Sequence, residues 1–104
     1  MPLNNPAAVV EIKDGSYTGN SSVNRAIPHG LSKTPTLVLI TGETDQTYKF
    51  WIHKGVAKIY HHPVAAACLA VTAPDSTNFY VGNATQYNQS ANLLNNVHYW
   101  VAIG

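Results

Sequence analysis

The chain has 104 residues, enough for one domain spanning residues 1–104 and too few for a second. Charged residues make up only 11% of it, against about 25% in an average protein, and the net charge is +1. The basic residues are scattered from Lys13 to Lys58, which argues against a nucleic-acid partner, and no stretch approaches the roughly 20 apolar residues of a membrane span.

The first half of the chain predicts short strands punctuated by Gly and Pro, because no stretch keeps the apolar spacing of a helix. The polar segment 16–24 is predicted to contain a turn, and Pro28 favours an edge or bulged position for its strand. The run TLVLIT is continuous and apolar, which predicts a strand buried on both faces. The predicted strands here are Ala7–Ile12, ending at a turn at Asp14-Gly15, then Arg25–Leu31, Thr36–Thr41 and Tyr48–His53.

The second half predicts four more strands. Alanine favours helices, but the flanking Pro63 and Pro74 and the pair Val71-Thr72 favour a strand in the Ala-rich run between them. Strands at roughly 8–12-residue spacing with turn signals between them are typical of an antiparallel sandwich or barrel. We therefore expect an all-β fold, a small antiparallel β-sandwich of about six to eight strands. The predicted strands of this half are Val56–Tyr60, Val64–Ala73, Asn78–Gly82 and Asn96–Ile103.

The last predicted strand is apolar on both of its faces. One face carries Val97, Tyr99, Val101 and Ile103, and the other carries His98, Trp100 and Ala102. One face can fill the core, and the other, with Trp100, must meet a second sheet, a partner subunit or a ligand. Together with the low charge, this predicts an oligomer whose interface includes Tyr99, Trp100 and Ile103.

A string near the N-terminus and the C-terminal residues resemble known families. Residues 15–35 carry G-x-Y-T-G-N, then N-R-x-I-x-H-G-L and T-P, a pattern that resembles small tailed-phage virion proteins, with Ser21 where that pattern often has Gly. The ending Y-W-V-A-I-G resembles the closing strand of the H-type lectin-like sandwich, which assembles as trimers. The resemblance covers about the first forty residues and the last eight.

The resemblance implies a non-enzymatic virion structural protein. We expect a capsid decoration protein that forms a homotrimer and binds the major capsid protein or another virion protein. Its N-terminus lacks the features of a signal peptide, so we expect a complete chain, made in the host bacterial cytoplasm and located in the virion. Residues 1–6, MPLNNP, are interpreted as an extended arm that reaches a neighbouring subunit through Leu3.

No residue pattern points to catalysis, a metal site or a cofactor. Four of the carboxylates fall in predicted turns, Glu11 is isolated on a strand, and Cys68 has no basic neighbour in sequence to lower its pKa. His61 and His62 are adjacent and so point to opposite faces of a strand, although His53 and either of them could meet across a hairpin. A threefold axis could also bring three copies of one histidine together. We interpret the histidines as polar surface or interface residues and expect no metal.

Glycan binding is the alternative function. Sugars bind through aromatic faces and through hydrogen bonds from amides, carboxylates and histidines, and this chain supplies many aromatic rings and amides. The protein would then be a receptor-recognition module of a tail fibre or a stand-alone lectin, with a cell-surface glycan as ligand. Trp51 and His53 are the predicted sugar contacts, because they are assigned to the polar-lined face of their strand.

Overall fold

Eight β-strands make up the regular structure of the described residues, which in this computed structural model are 10–42, 50–62, 68–83 and 91–104. The predicted arm at residues 1–6, with Leu3, lies outside them. The strands are β1 (Ile12–Thr18), β2 (Arg25–Pro28), β3 (Leu37–Gly42), β4 (Phe50–His53), β5 (Lys58–His62), β6 (Cys68–Ala70), β7 (Asn78–Val81) and β8 (Val97–Ile103).

The strands form two antiparallel sheets. The larger has six strands in the order β1-β8-β3-β4-β5-β6, and the smaller pairs β2 with β7. The predicted all-β class is confirmed, and the arrangement is compatible with a small β-sandwich. Pro28 lies in the two-stranded sheet, where each strand has a free edge, as its missing N–H requires. No helix of the described residues is long and apolar enough to cross a membrane.

The core lies between the two sheets. Phe79 of the smaller sheet meets Trp100 of the larger edge to face, with ring centroids 5.3 Å apart, and its ring also lies 6.5 Å from that of Tyr17. Phe79, Ile40 and Val38 are fully buried. Such aromatic contacts add to the apolar area that both sheets remove from water, and they fix which face of the large sheet is the inner one.

Strand β8 explains the apolar C-terminus of the chain. It lies between β1 and β3 and pairs with both, so that Ala102 is opposite Lys13 on one side and Val38 on the other. Its backbone is therefore bonded along both edges, and its inner side chains are covered by the small sheet. Apolar and β-branched residues suit this central position.

The N-terminal strand differs from the prediction. β1 runs through Asp14-Gly15, which was expected to be a turn, because β8 supplies a partner for each residue from Ile12 to Thr18. Gly15 is opposite Trp100, and a Cβ there would lie 2.7 Å from the indole ring. The glycine thus makes room for the tryptophan inside a strand, whereas the sequence pattern had indicated a chain reversal.

Strand β3 is buried on one face only, so the prediction of burial on both faces is wrong. Val38 and Ile40 are fully buried, whereas Leu39 is 39% exposed. The small sheet covers the inner face of the large sheet, and among the described residues no second layer covers the outer one. The remaining predicted strands correspond to β2 and β4–β8, with bounds that differ at several ends, and only Cys68–Ala70 of the predicted strand at residues 64–73 is described as β6.

Candidate assembly surface

The outer side of the six-stranded sheet carries five of the nine exposed large apolar side chains among the described residues. Side chains alternate across each strand, so every second residue points away from the small sheet. We call these residues the outward face: Ile12, Asp14 and Ser16 on β1; Leu37, Leu39 and Thr41 on β3; Phe50 and Ile52 on β4; Lys58 and Tyr60 on β5; and Tyr99, Val101 and Ile103 on β8.

Register places these apolar side chains side by side. Val101 of β8 is opposite Leu39 of β3, Leu39 is opposite Ile52 of β4, and Ile52 is opposite Tyr60 of β5. Leu39 and Tyr60 are each 39% exposed, and Val101 is 38% exposed. Cross-strand neighbours on one face lie about 5 Å apart, so the row is continuous. Contiguous exposed apolar surface of this kind marks an interaction site in a protein that does not aggregate.

A shallow groove of about 620 Å³ crosses the β1, β8 and β3 part of the outward face. Leu39 and Val101 form its apolar floor, and the exposed ring of Tyr99 stands beside them. Asp14 and Ser16 line the side formed by the edge strand β1. The groove can therefore receive an apolar group with a polar group at one side.

Of the predicted interface residues, two belong to the outward face and one does not. Tyr99 is 47% exposed and Ile103 is partly exposed. Trp100 is buried in the chain's own core against Phe79, so its assignment to a subunit interface is wrong. Trp100 does meet a second sheet, which was one of the outcomes expected for its face. Leu3 lies outside the described residues.

The two predicted sugar contacts are buried, and their assignment to an accessible face is wrong. Trp51 is 2% exposed and His53 is fully buried. Trp51 packs edge to face on His98, with ring centroids 5.1 Å apart. The prediction failed because Lys49 shares the period-two spacing of Trp51 and His53 in the sequence pattern, which made their side of the predicted strand look polar. In this structure no sugar can stack on the Trp51 ring.

His29, His53 and His98 are buried, which corrects the prediction that these histidines are surface or interface residues. His29 makes two hydrogen bonds: its Nδ1 accepts from the Leu31 backbone N–H at 3.0 Å, and its Nε2 donates to the Asp75 carbonyl at 2.8 Å. His53 and His98 have fewer hydrogen-bond partners than His29. Neither ring nitrogen of His53 makes a hydrogen bond of normal geometry, and His98 has a partner only for Nδ1, the Thr41 carbonyl at 3.2 Å.

Burial lowers the pKa of both His53 and His98 to about 4. The backbones of Thr72 and Lys58 near His53 oppose that shift only in part, and Arg25 adds to it at His98. Both imidazoles are thus neutral at pH 7 and serve as flat core side chains. The ring of His98 stacks on that of Tyr17 at 5.1 Å.

The register of β4 and β5 places neither His61 nor His62 directly opposite His53. His53 is opposite Ile59, whereas His61 is opposite Trp51. Among the described residues, no group of three or more His, Cys, Asp or Glu side chains could hold a metal ion together. The exposed Asp75 carboxylate closes a turn instead: hydrogen bonds from the Tyr80 hydroxyl and the backbones of Asn78 and Thr77 lower its pKa to about 2.

The residues of the phage-like string form a polar cluster at the end of β1. The Tyr17 hydroxyl donates to the Ala91 carbonyl at 2.6 Å. Asn92 is fully buried; its Nδ2 donates to the Ser22 carbonyl at 2.8 Å, and its Oδ1 accepts from the Asn20 backbone at 3.2 Å. We call Tyr17, Asn20, Ser22, Arg25, Ala91 and Asn92 the loop hub. These contacts join residues about 70 positions apart in sequence.

Arg25 makes further contacts within the loop hub, and Gly19 directly precedes the hub residue Asn20 in sequence. The guanidinium of Arg25 donates to the Thr18 carbonyl and to Asn92 Oδ1 and lies 5.3 Å from the Tyr17 ring centroid, within cation–π range. Burial raises the pKa of Tyr17, and Arg25 only partly opposes this. A Cβ on Gly19 would lie 2.0 Å from the Leu93 carbonyl oxygen, so only glycine fits.

The rest of the string also serves the fold. Asn24 adopts φ 48° and its side chain accepts the Thr72 backbone N–H at 2.8 Å, a conformation that asparagine tolerates better than most residues. Gly30 lies just after β2 and has φ 76°, a backbone conformation that favours glycine. The string therefore specifies a loop geometry and a hydrogen-bond network, and its residues carry no reactive arrangement.

Comparison of the chain with protein-family models, with curated proteins and with solved structures found no match. The chain's own surface therefore carries the information about its function. Sequence reasoning missed Leu39, Ile52 and Val101 as the centre of that surface. The signal that could have found them is the number of apolar residues in β3: a six-residue strand with four of them must expose some if only one of its faces is covered.

Proposed function

We propose that the protein is a non-enzymatic structural component of a phage virion, a capsid decoration protein that assembles as a homotrimer. The observation that carries the proposal is the outward face, a continuous apolar surface on a chain in which only 11% of residues are charged. Identical subunits that cover this face with one another gain about 25 cal/mol for each Å² of apolar surface removed from water. A face with few charges loses little hydration on docking.

The resemblance to phage virion proteins supports the same proposal. The string shared with them consists of folding determinants such as Gly19, Arg25 and Asn24, so a shared string argues for a shared loop architecture. The outward face supports the use of the fold as an assembly scaffold, because it offers identical subunits a continuous apolar contact surface. Its partner in the virion would be the major capsid protein or another virion protein.

In this proposal the arm at residues 1–6 gives each subunit a second means of attachment to a neighbouring subunit. Pro2 and Pro6 restrict its backbone, which lowers the entropy lost when it is ordered on a neighbour, and Leu3 supplies an apolar anchor. We expect a chain that lacks residues 1–5 to fold normally and to occupy fewer sites on capsids than the full chain. Equal occupancy of the two chains, measured by quantitative mass spectrometry of washed particles, would remove the arm from the proposal.

The direct test of the proposed function locates the chain in particles. Virions of the phage that encodes the chain are purified and probed by mass spectrometry and by immunogold labelling with antibodies against the recombinant protein. The proposal expects the chain in the particles, with label over the heads. Label on the tail fibres would overturn the decoration role, and absence of the chain from purified virions would overturn any virion role.

A glycan array adds a separate test of the lectin alternative. We expect no saturable, sugar-specific signal from the folded protein, because Trp51 and His53, the predicted sugar contacts, are buried. A saturable signal that competes with free sugar would contradict the proposal and assign the chain to receptor recognition. Tyr99, the exposed ring of the groove, would then be the first residue to change.

A further inference from the structure

The outward face carries opposite charges towards its two ends. Asp14 lies on the edge strand β1, and Lys58 lies on β5, beside the small Ala70 of β6. Lys54, directly after β4, is also exposed and adds positive charge near Lys58. Between these ends the face is formed by Val101, Leu39 and Ile52 and their apolar neighbours.

Asp14 and Lys58 cannot pair within one chain. Four inter-strand spacings separate β1 from β5 in the sheet order, which corresponds to about 19 Å. The structure shows no ion pair between either side chain and another described residue. Each is therefore a charge beside an apolar surface, and a second molecule is needed to bring the two together.

The strand register decides how copies can meet. Asp14 is opposite Val101, and the row continues through Leu39 and Ile52 to Tyr60. Lys58 is two residues from Tyr60 on the same face, so it is offset from that row by about 7 Å along the strand, a distance that a lysine side chain can span. A rotation about an axis parallel to the strands does not change the position of a residue along that axis. It brings the β1 end of one sheet next to the β5 end of another.

We infer that the outward face is the contact surface of the homotrimer, with the three faces turned towards an axis that runs along the strands and Asp14 of each subunit paired with Lys58 of the next. This inference rests on the proposed homotrimer. The contact is head to tail, and three repeats of it close a ring. The apolar centre supplies the affinity, and the charge pair fixes the direction in which subunits follow one another.

The test reverses the two charges separately and together. Sedimentation equilibrium is run on wild type, Asp14→Lys, Lys58→Asp and the double variant, with Lys13→Asp as the control. Lys13 is exposed on β1 beside Asp14 but points to the other side of the sheet. Each single reversal places like charges together and is expected to weaken assembly about tenfold or more. The double variant should return to within about threefold of wild type, and the control should not differ from it.

A second measurement reads the pairing without any substitution. A carbodiimide joins a carboxylate directly to an amine in contact with it, so wild-type protein should give an Asp14–Lys58 cross-linked peptide in a covalent oligomer. The distance within one chain forbids an intrachain product. Weakening by both single variants without recovery in the double variant, or absence of the cross-linked peptide, would overturn the pairing. A dimer mass would overturn the threefold ring, whereas the virion location is tested independently by the labelling experiment.

Discussion

The two faces of the six-stranded sheet use the same strands and are both largely apolar, yet their surroundings differ completely. On β3 the neighbours Ile40 and Leu39 differ by one position in sequence, and their exposed fractions are 0% and 39%. Phe79 and the rest of the small sheet cover the inner face, whereas no other described element covers the outer one. A covered face contributes to the stability of a single chain. The uncovered face contributes little to the stability of a single chain and more when another molecule covers it.

The largest predicted effect is the loss of folding stability in acid, through two buried histidines on the inner face. His53 and His98 have pKa values near 4 in the folded chain and about 6.5 when unfolded, so the unfolded chain binds more protons between these pH values. The free energy of unfolding therefore has its full value above pH 6.5. It falls as the pH drops towards 4, by up to about 1.4 kcal/mol per pH unit for each histidine. Urea unfolding at a series of pH values measures this slope.

The His53→Leu variant isolates one of the two groups. Its stability should depend on pH about half as steeply as that of wild type between pH 6.5 and 4. The carboxylate of Asp75, with its pKa lowered to about 2, contributes stability that is lost only below about pH 4, outside this window. An unchanged slope in the variant would show that His53 does not carry the proton-linked loss of stability.

Truncation of the two neighbours on β3 separates the faces. Ile40→Ala should lower the free energy of unfolding by about 2–5 kcal/mol, because it leaves a cavity in the core. Leu39→Ala should lower the stability of the dissociated chain by about 1 kcal/mol or less, since the side chain is partly exposed there, but should weaken self-association clearly. Urea unfolding at low protein concentration and sedimentation equilibrium give the two quantities. Equal effects of both variants on unfolding, with no effect of Leu39→Ala on mass, would remove the distinction between the faces.

Two tyrosine hydroxyls, one in the loop hub and one on the surface, should show the same difference between buried and exposed groups with a smaller effect. Tyr17→Phe leaves the buried Ala91 carbonyl without its donor and should cost about 1–3 kcal/mol. Tyr80→Phe also removes a hydroxyl, but that hydroxyl binds the exposed Asp75 carboxylate, and water can replace it, so this variant should lose clearly less stability than Tyr17→Phe. Thermal unfolding of the two variants compares them directly. A Tyr80→Phe effect as large as that of Tyr17→Phe would show that burial does not set the cost.

Much of the fold could be predicted from local patterns, and the limits have physical causes. Turn residues and period-two alternation located most of the strands, and β8 was assigned nearly to the residue. The choice of core face failed at Trp51 and His53 because it depends on a partner sheet distant in sequence. A neutral histidine is also acceptable in a core that lowers its pKa, so His53 did not mark a surface. Gly15 was predicted to be a turn residue because its role depends on Trp100, 85 positions away.

The candidate surface was foreseen only in part. The apolar ending of the chain predicted that a face needs cover, and Tyr99 and Ile103 belong to that face. Leu39 and Ile52 come from strands whose apolar residues were assigned to the core. Only the register that places Val101, Leu39 and Ile52 in one row turns isolated apolar residues into a continuous surface.

Sedimentation equilibrium of the wild-type protein at micromolar concentration tests most directly whether identical copies cover the outward face. A single species with about three times the 11.2 kDa mass of the chain is the predicted result. A well-behaved, non-aggregating species of 11.2 kDa would contradict it, because the outward face would then be stable in water without a partner copy.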